Sequence, residues 1–191
     1  MKRDGYYFYK RRKRYSEESF HEIVHWGIGI FISIFFAFIL VYFLGLNVNM
    51  DGNSMAPGLC DGQKVLVNRF VYKLSQPERG DVVMFVPNGN ENTGYYIKRV
   101  VGVSGDRLQV ISGTLYVNDT PSPYVTSKIT DPGILVNEIT VGQGTYFVMS
   151  DDVMSPDDSR NPNIGPVESR YIIGKVWYAF SEGDSGRHLV K

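Results

Sequence analysis

Between Ile23 and Leu46 the chain runs 24 residues without Asp, Glu, Lys or Arg, a stretch that includes the nearly unbroken apolar run Ile28–Leu44. At about 1.5 Å per helical residue this is enough to cross a hydrocarbon core of about 30 Å. It ends in Tyr42-Phe-Leu-Gly-Leu-Asn, without the small-residue cleavage site of a removable leader, so it reads as a retained anchor. Beyond Asn47 the pattern changes to short runs rich in Val, Ile, Tyr and Phe, bounded by turn residues. Strands are predicted at Lys64–Arg69, Asp81–Val86, Tyr95–Val103, Arg107–Ile111, Thr114–Val117, Thr145–Met149 and Tyr171–Phe180. Gly105-Asp106, Asn118-Asp119 and Gly142-Gln-Gly144 mark turns. The stretch 112–143 reads as a hairpin and loop-rich excursion from the main sheet, loops dominating from Pro121 to Glu138. The predicted class is mostly β, with one N-terminal transmembrane helix and a single outer domain at 47–191.

Charge sets the direction of the anchor. Lys+Arg and Asp+Glu both total 20, but residues 1–22 hold 7 basic against 4 acidic residues, leaving 13 against 16 in the remainder. Lys10-Arg-Arg-Lys-Arg14 lies just before the apolar segment, so the positive-inside rule keeps segment 1–22 cytoplasmic and exports the domain after it. The cluster has its explanation beside a membrane, and the overall balance argues against nucleic acid as a partner. One cysteine, Cys60, excludes an internal disulfide; with it and three histidines no zinc cluster of ordinary spacing can be assembled.

Three stretches of the outer domain carry candidate chemistry. Asp51-Gly-Asn-Ser-Met-Ala-Pro-Gly-Leu59 sets Ser54 on a turn, where unpaired backbone N–H groups around a hydroxyl can serve as an oxyanion hole. In the strand Tyr95–Val103, Tyr96, Lys98 and Val100 alternate onto one face and Ile97, Arg99 and Val101 onto the other. Lys98 thus sits among apolar neighbours, and burial would lower its pKa and let a neutral amine act as general base. No histidine is available to Ser54: His21 and His25 lie before or within the apolar segment, and His188 is in the polar tail. The Gly-x-Ser-x-Gly elbow is absent as well, leaving a Ser–Lys dyad as the serine-hydrolase arrangement this chain can build. The third stretch is Met149-Ser-Asp-Asp-Val-Met-Ser-Pro-Asp-Asp-Ser-Arg160.

Ser54-Met55 with Pro57 and Leu59, Arg79-Gly-Asp-Val-Val, Tyr96-Ile-Lys-Arg-Val-Val-Gly with Gly105-Asp106, and Asp158-Ser-Arg160 come in the order of the bacterial type I signal peptidases. The chain resembles their short, Gram-positive-like form from the basic N-terminus to about Phe180. The resemblance implies a membrane-bound serine endopeptidase that removes signal peptides from exported preproteins without any cofactor or metal, its partners being those preproteins and the membrane lipid. It implies Ser54 as nucleophile, Lys98 as general base, and Met55, Tyr96 and Ile97 shaping pockets for small side chains. It also implies that Asp158 and Arg160 support the site. Several positions depart from the family pattern, among them Ser150-Asp-Asp-Val153 where Gly-Asp-Asn-Arg is usual. Gly52 stands where some members have an oxyanion-binding serine, and Gly58 stands where threonine is usual. Pro156 occupies the place of a serine that lies near the lysine, so Ser155 is expected to take that role.

Other signals have plainer explanations. Arg79-Gly-Asp81 reads as turn and strand start rather than an adhesion tripeptide, Cys60 as a packing residue, and the aspartates of 151–158 do not match a calcium loop. The competing class is a non-catalytic accessory that binds exported or pilus subunits; retention of both Ser54 and Lys98 favours the enzyme. A peptidase with a narrow set of clients has the same sequence signature. The anchor argues against a self-cleaving repressor, which shares the chemistry.

Overall fold

The computed structural model describes residues 17–44, 46–180 and 188–190. Two compact units divide near Leu40. The first is the helix α1, Glu17–Leu44, whose apolar stretch Phe20–Tyr42 is 23 residues long, or about 35 Å. Trp26, Phe31 and Phe38 on it are at least 70% exposed, the pattern of a helix whose apolar face is not satisfied by protein. The helix begins six residues before the predicted span and stops two short of it. Leu46 already belongs to a strand. The basic cluster at 10–14 lies outside the described residues.

The second unit is built from antiparallel strands. Its main sheet comprises β1 (Leu46–Asn49), β2 (Lys64–Asn68), β3 (Val82–Phe85), β4 (Tyr96–Gly102), β9 (Thr145–Met149), β10 (Val167–Glu168), β11 (Ile172–Phe180) and β12 (His188–Leu189). The order is β1-β2-β11-β3-β4-β9-β10, with β12 also on β11. All seven predicted strands are present, within a residue or two of their expected ends. The short strands β1, β10 and β12 went unpredicted because two to four residues are too few to show alternation. Every residue of β3 is buried, since both faces of this central strand are covered. On one face Met50, Met55, Leu59, Val65, Val67, Val82, Met84, Ile97 and Val176 form a core; on the other Val83 and Phe85 pack with Val100, Tyr146, Val148 and Val167.

The excursion holds the expected hairpin and adds two strands of two residues each to it. Its sheet already begins at β5 (Arg107–Ile111) and continues through β6 (Thr114–Val117), β7 (Thr120–Pro121) and β8 (Ile139–Thr140), in the order β7-β6-β5-β8. Leu108, Leu115, Leu135 and Val141 on this sheet and its connections pack with Val101, Phe147 and Met149 of the main sheet. From Pro121 to Glu138 loops dominate as expected, interrupted by a 3-10 turn at Gly133–Val136, and their buried Val125, Ile129 and Leu135 join this core.

Asp81 confirms the structural reading of the Arg-Gly-Asp tripeptide. Its carboxylate accepts bonds from Tyr72 Oη (2.8 Å), Lys175 Nζ (2.5 Å) and the Glu78 amide (3.1 Å), while Arg79 pairs with Asp106. Burial and the Asp81 charge drive the Tyr72 phenol far above its usual range.

Candidate active site

The turn between β1 and β2 is tied at many points. Gly52, at φ +81°, takes a backbone conformation that side chains disfavour, and its N–H donates to Asp61 Oδ1 at 2.8 Å. The Asp61 amide donates back to Asn53 Oδ1 at 3.1 Å. The Ala56 and Leu59 amides bond to the carbonyls of Asn53 and Met55, and Met55 and Leu59 are buried in the core. Ser54 is thereby presented, half-buried, on a rigid support. Its carbonyl accepts the Asp152 amide at 3.0 Å, whereas its own N–H has no partner among the described residues.

Lys98 faces the same groove from β4. The groove, about 580 Å³, is lined by Met50–Ser54, Gly94–Lys98, Asp152, Ser155 and Asp157, among others. Lys98 pairs with Val83 in the ladder and is only 3% exposed. Its Nζ lies 5.8 Å from the Tyr96 ring centre and makes no hydrogen bond or ion pair among the described residues. Burial pulls its pKa below the ordinary lysine value, and Arg160 adds to that; Asp158, Asp157 and Asp151 pull the other way. Burial is the largest influence, so the neutral amine is favoured over its state in water.

The third stretch holds these two together. Arg99 donates to Asp151 through Nε and Nη2, both at 2.7 Å, and to the Gly80 carbonyl at 2.9 Å. Asp158 and Arg160, 0% and 4% exposed, form a bidentate pair. Asp158 also accepts the amides of Ser150 and Arg160, both at 3.0 Å, and Arg160 reaches the carbonyls of Val153 (2.9 Å), Ser155 (2.6 Å) and Asp131 (3.1 Å). This ion pair stands behind the groove and does not line it. It fixes the loop whose Asp152 amide grips Ser54.

The candidate residues fall into two groups. Ser54, Lys98, Tyr96, Ile97 and Ser155 meet at the groove. Met55 does not line it: wholly buried, it packs in the core that contains Ile97 and acts from beneath. Ser155 enters the support through its carbonyl, and no hydrogen bond links its hydroxyl to Lys98 among the described residues. Gly58 has a local reason, because a Cβ there would come within 3.0 Å of Asp151 Oδ2. The Arg99–Asp151 pair was missed, since 52 residues separate its members. The buried, unpartnered hydroxyl of Ser150 was missed too.

A family model for signal peptidase, peptidase S26, matches residues 23–180. The chain belongs to this family. Its relatives include a signal peptidase I of Bacillus amyloliquefaciens, 32% identical over 164 residues that cover 81% of this chain and 83% of the relative. Signal peptidase IB of Staphylococcus aureus (strain COL) is 34% identical over 176 residues, covering 83% and 90%. The crystal structure of a signal peptidase I from Enterococcus faecalis aligns at 25% identity with a TM-score of 0.42, covering 53% of this chain and 97% of that one. Peptidase S26 membership agrees with the resemblance drawn from the motifs, and the matched region takes in Ser54, Lys98 and Arg160 alike.

Proposed function

We propose that Ser54 and Lys98 are the catalytic dyad with which this serine endopeptidase removes N-terminal signal peptides from exported preproteins. The observation that carries the reading is Lys98 itself: an amine buried to 3% exposure, without an ion-pair partner among the described residues, lining the groove of Ser54. Neutral Lys98 takes the Ser54 proton as Oγ attacks the scissile carbonyl carbon. The oxyanion accepts a hydrogen bond from the free Ser54 N–H. Collapse breaks the C–N bond, and the Lys98 ammonium returns the proton to the departing amine. Water, deprotonated by Lys98, then opens the acyl ester. Tyr96 and Ile97 border the groove and Met55 backs it, in keeping with small side chains beside the cleaved bond.

The membrane side of the reading rests on α1. A membrane-anchored enzyme meets a substrate that is itself held in the bilayer by its apolar segment, which raises the effective concentration of each for the other. With Lys10–Arg14 on the cytoplasmic side, the domain after Asn47 faces the outer side, in contact with lipid and away from nucleic acid.

The test is cleavage of a preprotein with an Ala-x-Ala signal by the full chain in detergent or vesicles, beside Ser54→Ala and Lys98→Ala. Cutting that both substitutions abolish supports the dyad. No cutting of several preproteins by the folded wild type would favour the accessory that binds without cleaving.

A further inference from the structure

Two polar groups, one on β4 and one just past the end of β9, lack partners among the described residues. One is the Lys98 amine; the other is Ser150 Oγ, 1% exposed and without a hydrogen bond among the described residues. A buried hydroxyl left unpaired costs about 1–3 kcal/mol, so it calls for a physical reason. The ladder supplies one. Val100 pairs with Val148 and Arg99 with Met149, where the ladder ends; continued by one residue, this register puts Ser150, just past β9, opposite Lys98 and on its face of the sheet. Side chains so related have Cβ atoms about 4.5–5.5 Å apart. The Ser150 backbone is fixed as well, because its amide donates to Asp158 Oδ2 at 3.0 Å and Asp158 is clamped by Arg160. Ser155, the other hydroxyl near Lys98, is only half-buried on a turn, where water can satisfy it.

We propose that Ser150 is a positioning residue of the dyad, its Oγ accepting a hydrogen bond from Lys98 Nζ and so holding the lone pair of the amine toward the groove. The inference rests on the Ser54–Lys98 reading and adds to it the residue that orients the base. The bond closes when a peptide fills the groove and the amine turns on its terminal torsions, as catalytic hydrogen bonds commonly tighten only in the complex. Through Ser150, the Asp158–Arg160 pair gains a path to the base as well as to the loop. The charges that act on Lys98, those of Asp151, Asp157, Asp158 and Arg160, are left in place by a change at Ser150.

The experiment compares the full chain in detergent with Ser150→Ala and Ser155→Ala, reading kcat, KM and the acid limb of the pH profile on a preprotein. The expected result for Ser150→Ala is a kcat lower by about tenfold at unchanged KM, within the usual range for positioned acid–base groups. Its acid limb moves to lower pH, because the ammonium loses an acceptor. Ser155→Ala, at a groove-lining residue, is read only by its acid limb, which stays where it is in the wild type. The limb position does not depend on the fraction of folded enzyme, so it remains decisive should the variant be less stable. An unmoved limb in Ser150→Ala, or a limb that moves in Ser155→Ala instead, overturns the proposal. Activity surviving in Lys98→Ala would sink the dyad itself, whereas an inactive Lys98→Ala beside a wild-type Ser150→Ala sinks the positioning role alone.

Discussion

Arg99 holds Asp151 by two parallel hydrogen bonds of 2.7 Å, joining the strand that presents Lys98 to the loop that grips Ser54. The pair is 12% and 14% exposed, so water screens it little. Lysine at position 99 keeps the charge but loses the two-pronged geometry and the third bond to Gly80. Arg99→Lys is expected to lower stability by about 1–3 kcal/mol and kcat/KM severalfold, read by chemical unfolding and by preprotein cleavage. Wild-type values in both would show that the fork does not position the site.

The Asp158–Arg160 pair predicts a larger and asymmetric effect. Asp158→Ala strands a guanidinium in the interior, which costs about 3–5 kcal/mol when a buried pair is broken. Asp158→Asn keeps one side-chain acceptor, enough for only one of the Ser150 and Arg160 amides, which bond to different oxygens, but it preserves the side-chain volume and should lose less. Melting temperatures of the two variants in the same detergent distinguish the cases; equal losses would mean that the acceptor kept by asparagine contributes nothing beyond the charge that both variants remove.

Gly133 couples the second sheet to the site loop. It sits at φ +53°, and a Cβ there would lie 2.2 Å from the Arg160 carbonyl oxygen, which also accepts the Ile134 amide. Gly133→Ala must therefore shift the backbone of Arg160. The expected loss is about 2 kcal/mol or more, with a fall in activity, although position 133 lines no part of the groove. A melting temperature within a degree of wild type would contradict it.

Lys98 weakens the fold in a pH-dependent way. Its folded pKa lies below the unfolded value of about 10.4, so the unfolded chain binds more protons between the two. The penalty is complete below the folded pKa, shrinks as pH rises through that window, and vanishes above about 10.4. Lys98→Met should thus raise the melting temperature near neutrality, by about 2–4 °C for each kcal/mol recovered, and the gain should fade toward pH 10.5. A gain that grows with pH would reverse the sign of the argument.

How much of this was legible in the sequence follows from the range of each interaction. The strands that carry Lys98 and Val83 show locally as short runs rich in Val, Ile, Tyr and Phe between turn residues, and the turn around Ser54 announces itself through Gly52, Pro57 and Gly58. The burial of Val125, Ile129 and Leu135 in the loops beside the second sheet was not legible, because these residues are spaced by turns. Arg99–Asp151 pairs two residues with no local signature. Ser150 showed in the sequence only as a departure from the usual glycine of the last motif; its relation to Lys98 depends on register, which Arg99 opposite Met149 supplies.

The central claim is that Lys98 works as a neutral amine at the pH of the reaction. Competitive labelling of its ε-amine across a pH series, read peptide by peptide in the mass spectrometer, gives its titration directly in the folded wild type. The account predicts a midpoint below the ordinary lysine value of about 10.4, coinciding with the acid limb of preprotein cleavage. A midpoint at the ordinary value, with the activity limb elsewhere, would contradict it.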